Sequence, residues 1–139
     1  MMKAIICLDD KNGMMFNRRR QSRDSVLISR VKELANGKRI LMNSYSEPLF
    51  KESGACISVL DGFLGKAEND DFCFIENEEI PLEKCDLICI FRWNRVYPAD
   101  RFFDCDLQNH GFVLRSNEDF VGSSHERITL EIYERGEER

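Results

Sequence analysis

Lys3-Ala4-Ile5-Ile6-Cys7-Leu8, followed at once by Asp9-Asp10-Lys11-Asn12-Gly13, is the stretch whose reading decides the fold. The first six residues form an apolar run without polar alternation after Lys3. That pattern suits a strand covered on both faces, as in a parallel sheet. The acidic run ending in Asn-Gly is turn chemistry. Met14-Met15-Phe16 then reads as an apolar patch on a loop. Behind it Arg18, Arg19, Arg20 and Arg23 stand ahead of a single carboxylate, Asp24. In a chain of net charge −5, such a cationic cluster is a local feature and not a drift of composition.

Outward from this stretch, strand and helix alternate. Ser22 is a candidate helix cap, and Leu27, Ile28, Val31, Leu34 and Ala35 lie on one helical stripe. Asp24 falls in the first turn, where the helix dipole favours its charge, and Asn36-Gly37 ends the helix. Arg39 to Met42 reads as a second strand. Ser44 to Glu47 has capping-box spacing with Pro48 in the first turn, which predicts a short helix to about Ser53. Strands follow at Cys56 to Leu60, Phe72 to Ile75 and Leu87 to Phe91, with a weak helix capped by Asp61 and another over Pro81 to Lys84. Phe112 to Leu114 and Ile128 to Tyr133 read as a closing antiparallel pair. The order predicts an α/β fold with a mostly parallel sheet and an antiparallel edge.

The 139 residues, 42% of them hydrophobic, make one domain, residues 1–139, able to build an ordinary core. No apolar run approaches the ~20 residues of a membrane span, and the start has the wrong flanks for a signal peptide. Of the six cysteines, Cys7, Cys73 and Cys89 lie inside strand-like runs, which predicts reduced thiols and a cytoplasmic protein. With no CxxC pair and two distant histidines, no metal site is expected.

The layout is similar to that of dihydrofolate reductase. Residues Ile5 to Met14 resemble that family's first strand and the start of its active-site loop, and Asp24 stands in the place of the acid that holds the pterin ring. Gly37 to Met42 resembles the second strand. Phe72 to Ile75 and Leu87 to Phe91 resemble two more, and Ser124-His125-Glu126 through Leu130 to Arg135 resembles the terminal strand. The resemblance implies a three-layer αβα fold, mostly parallel with an antiparallel C-terminal edge, here shortened by about one strand. The shortfall lies between Leu49 and Ala55.

The departures from the family bear on its cofactor. Where a Gly-Arg-x-Thr segment would bind cofactor phosphates, the chain has Asn43-Ser44-Tyr45-Ser46. Where a glycine pair would let the backbone approach the pyrophosphate, it has Glu76-Asn77, with Glu78 and Glu79 next. Carboxylates in the place of a dianion oppose its binding. The expectation is therefore no cofactor, and a cleft for a small anionic or nucleotide-like molecule. Asp24 is the candidate catalytic or anchoring residue, and Arg18, Arg19, Arg20, Arg23, Ser44, Tyr45, Ser46 and Arg92 are the ligand contacts. Arginine forks match carboxylate and phosphate geometry, and the serines would offer free N–H groups at a helix start. The plain alternatives are a solvated arginine loop and an Asp24 that serves only the helix dipole.

Trp93 reads as packing or as a ring to stack on a ligand, and His125 as a residue leading into the last strand or as a base. An NADPH-dependent reductase of a pterin- or pyrimidine-like substrate is the second reading. An interaction module is the third: it would pair into a homodimer through an exposed edge at Cys56 to Leu60. An isoelectric point near 5.1 argues against nucleic acid as a partner.

Overall fold

The computed structural model describes residues 1–136. Its main sheet has seven strands: β1 (Met2–Leu8), β4 (Ile40–Met42), β5 (Ile57–Val59), β6 (Phe72–Phe74), β7 (Cys85–Arg92), β9 (Phe112–Phe120) and β10 (Ile128–Arg135). Their spatial order is β5-β4-β6-β1-β7-β10-β9. β1 pairs in parallel with both β6 and β7, and β4 in parallel with β5 and β6. β10 runs antiparallel to β7 and β9.

The apolar run of β1 sits at the centre because both of its faces are covered. Ala4, Ile6 and Leu8 face one core, with Phe63, Leu82, Phe103 and Phe112. Ile5 faces the other, under the helical residues Leu27, Ile28, Val31 and Ala35. These layers make the three-layer α/β fold that the resemblance implied.

The first helix, α1 (Ser25–Ala35), begins one residue after Asp24 and ends on Asn36 in the left-handed conformation (φ 49°). Asp24, not Ser22, is its cap: the carboxylate accepts from the N–H groups of Val26 and Leu27 at 2.9 and 3.2 Å. An aspartate at the N-cap satisfies the orphan donors and meets the dipole at once, so Ser22 is released for another contact. The second helix, α2 (Phe63–Lys66), is a single turn.

The expected helix after Ser44 is only a 3-10 turn, Glu47–Phe50, whose cap residue Ser46 makes no side-chain capping bond. The Met14-Met15-Phe16 loop and the arginine run are likewise not irregular. They pair as β2 (Gly13–Phe16) and β3 (Arg19–Arg20), joined by Asn17 and Arg18, both with positive φ, and β2 also pairs with β8 (Arg101–Phe102). Two left-handed residues in a two-residue loop are the geometry of a tight hairpin. The alternation along the hairpin sends Arg20 inward and leaves Arg18 and Arg19 exposed.

Candidate functional site

The parallel strands β1, β4, β6 and β7 all end on the same side of the sheet. There the chain leaves β1 for α1, and crosses from β6 past β1 to β7. A crevice at such a switch point is the natural ligand site of an open α/β sheet. Three groups of side chains converge on it.

The first is built on Asp24, which is buried with a fully enclosed carboxylate. Besides capping α1, Oδ1 accepts from the N–H of Ser123 at 2.9 Å. Oδ2 accepts from the N–H of Ser124 at 2.8 Å, from its hydroxyl at 3.2 Å, and from Nδ1–H of His125 at 2.9 Å. Burial alone would push the carboxyl up. The Ser124 N–H, the His125 ring and the N–H groups of Ser123 and Leu27 outweigh burial and hold it well below the usual carboxylate range.

Asp24 is therefore ionised and can only accept, so Nδ1 of His125 donates to it, and the tautomer this favours has Nε2 as the acceptor. Nε2 faces the hydroxyl of Ser22 at 2.9 Å and that of Tyr97 at 3.3 Å. Trp93 stacks on the ring at 4.6 Å between centroids, so its role here is to fix the histidine. Gly122 makes the approach possible: a Cβ there would collide with Asp24 Oδ2 and stand 2.9 Å from Ile128 Cδ1.

The second group joins the arginine run to the segment after β6. Arg20 forms a two-pronged pair with Glu76, Nε to Oε2 at 2.9 Å and Nη2 to Oε1 at 3.1 Å, and lies 4.5 Å over the Tyr45 ring. Its N–H donates to Tyr45 Oη at 2.7 Å, its Nη2 donates to the Tyr45 carbonyl at 3.1 Å, and Ser46 Oγ donates to Glu76 Oε1 at 2.7 Å. Nearby, Asn43 Nδ2 donates to Asn77 Oδ1 and Glu78 Oε2, both at 2.8 Å. Residues 20, 45, 46 and 76 thus satisfy one another. The Tyr45 and Ser46 N–H groups are also spent, on Asn43 Oδ1 and the Asn43 carbonyl, so no free helix start is offered to a ligand.

The third group lines the space between. A cavity of about 20 Å³, room for about one water, is walled by Cys7, Arg20, Ser22, Arg23, Asp24 and Trp93, among others. A more open cleft of about 340 Å³ adjoins it, between Arg23, Ser25 and Ile28 on one side and Pro48, Leu49, Ser123 and Ser124 on the others. Burial, with Glu76 adding to it, pushes the Cys7 thiol far up, which leaves it inert as a nucleophile.

Of the expected contacts, Asp24, Arg20 and Arg23 meet at this site, and Tyr45 and Ser46 brace it. Ser44 is an exposed turn residue, and Arg18 stands at the hairpin tip. Arg19 lines a separate groove with Phe16 and Pro98. Arg92 does not share the cleft: its Nε is held by Glu131 at 2.9 Å and its Nη1 by Asn12 at 2.6 Å.

Two residues carry more than the sequence suggested. Ser22 looked like a cap and instead meets His125; the capping rule ranks serine and aspartate alike, and only the contact 103 residues away separates them. Asp9, taken as turn chemistry, is buried and accepts from the N–H groups of Lys11, Gly13 and Tyr97 and from Gln21 Nε2, at 2.7 to 3.1 Å.

No protein-family model matches the chain, and no curated protein matches it by sequence. Among solved structures it is similar to a dihydrofolate reductase from Enterococcus faecalis, complexed with NADP(H) and RAB-propyl. The identity is 13%, the match covers 99% of this chain and 97% of that one, and the TM-score is 0.67. At that identity the likeness concerns the backbone and not the chemistry, and the fold of this chain is the dihydrofolate reductase fold.

Proposed function

We propose that this chain uses the reductase fold without conventional NADPH-dependent reduction of dihydrofolate, and that it binds a small anionic or nucleotide-like molecule in the cleft between α1 and residues 48–49. The observation that carries this reading is the Arg20–Glu76 pair with its Tyr45 and Ser46 partners. These groups answer one another beside the crevice, so a dinucleotide would have to break a partly buried ion pair and lie against Glu76 and Glu78. Removing one partner from such a pair is costly.

What stays available is Arg23, exposed and lining the cleft of about 340 Å³, with Ile28, Pro48 and Leu49 as its apolar wall. That volume is in the range of small-molecule sites, and one guanidinium offers a fork to a carboxylate or phosphate. Asp24 supports the cleft from beneath, since its acceptor sites are filled.

Thermal-shift measurements with nucleoside monophosphates, small carboxylates and NADPH test the reading. A phosphate-bearing or carboxylate ligand is expected to raise the melting temperature of the parent protein and not of Arg23→Gln. NADPH oxidation with dihydrofolate or a pyrimidine-like substrate, abolished by Asp24→Asn, would replace this reading with that of a reductase.

A further inference from the structure

We infer that Ser22, His125 and Asp24 form a nucleophilic relay that hydrolyses esters of short-chain acids. This adds a reaction to the cleft and needs nothing from the anionic ligand proposed above. The geometry is the serine–histidine–carboxylate arrangement, recognised by contacts and roles and not by chain order. Ser22 Oγ lies 2.9 Å from His125 Nε2, and His125 Nδ1 lies 2.9 Å from Asp24 Oδ2.

Each member is placed for its part. Asp24 is ionised and enclosed, so it fixes the tautomer that leaves Nε2 as the acceptor. His125 is buried and held in plane by Trp93, while Ser22 is half-buried and forms part of the cavity wall. A mere tie between the segments leading into α1 and β10 would not require Ser22 to line a cavity. Arg23 lines the same cavity and supplies positive charge for a developing oxyanion. The cavity of about 20 Å³ beside Ser22 has room for one group of about the size of a water, so the acyl chain it favours is the shortest, with a single methyl.

The chemistry closes with water as the only co-reactant. Ser22 Oγ gives its proton to His125 Nε2 as it bonds to the acyl carbon. The ester C–O bond breaks, and the departing alkoxide takes that proton and leaves as the alcohol. Water then gives a proton to Nε2 while its oxygen bonds to the acyl carbon. The bond to Ser22 breaks, Oγ recovers the proton, and the acid is released.

The test is p-nitrophenyl acetate, an uncharged ester whose reaction does not depend on an anion site, read as released nitrophenol and by intact and peptide mass. The expected result is an acetyl group on Ser22. The rate should fall at least about a hundredfold in Ser22→Ala and in His125→Gln, stay unchanged in Ser29→Ala, and drop for the butyrate ester. Ser22→Ala removes only one hydroxyl and retains the Asp24 cap, so it decides the matter even where His125→Gln fails to fold. Acetylation elsewhere, or hydrolysis that persists in folded Ser22→Ala, would overturn the inference. A failed ligand shift with an intact acetylation result would reject the anion reading alone.

Discussion

Asp24 is where sequence and structure diverge most instructively at the scale of single residues. Its position in the chain was legible, and so was its neighbourhood at a helix start. Its partners were not, because Ser123, Ser124 and His125 lie about a hundred residues away, and their approach depends on a backbone that only Gly122 permits. Asp24→Asn puts an amide where only acceptors are wanted. It should cost about 2–4 kcal/mol, as a lost cap plus broken buried hydrogen bonds, measured by urea unfolding. The pH dependence has a definite sign. Because the folded carboxyl is held below its unfolded value, its contribution is complete at neutral pH. It drains away as pH falls below about 4, where the unfolded chain takes up the proton first. That acid slope should be shallower in Asp24→Asn. Gly122→Ala should cost about 1–3 kcal/mol by overpacking against Asp24 and Ile128, with its methyl displacing the strap that carries His125.

Among elements, the β2–β3 hairpin is pinned beside the cleft. Among its inward contacts, Arg20 to Glu76 and the Arg20 N–H to Tyr45 join it to the segments after β6 and β4. Glu76→Gln keeps the shape and removes the charge, which leaves a half-buried guanidinium poorly answered. The variant should lose about 1–3 kcal/mol. It should also be cut faster by trypsin after Arg18 and Arg19, while the rate of cleavage after exposed Lys51 stays the same. Equal acceleration at both places would mean global loosening instead. The sequence displayed the arginine run and the acidic run as separate anomalies 56 residues apart; nothing local says that opposite charges will meet. The hairpin itself was readable in retrospect, since Asn17 precedes the run and asparagine tolerates positive φ. The weight of four arginines concealed that signal.

For the whole molecule, the central apolar strand, the stripe of α1 and the order of strands were enough to anticipate the architecture, because covering both faces of a parallel sheet leaves few arrangements. Element lengths were less legible: β9 runs to Phe120, well past Leu114, because residues 115–119 are polar and exposed on both faces and carry no apolar pattern. Cys56 to Leu60 does reach the edge of the sheet, as strand β5. The crevice is the same kind of place in this chain as in any open α/β sheet; residues 20, 45, 46 and 76 bond one another beside it, and in the reading proposed above this keeps a dinucleotide out. Isothermal titration with NADPH tests that most directly. No saturable heat at micromolar coenzyme is expected for the parent protein. Saturable binding at micromolar coenzyme, with Arg20 and Glu76 still paired in the complex, would contradict it.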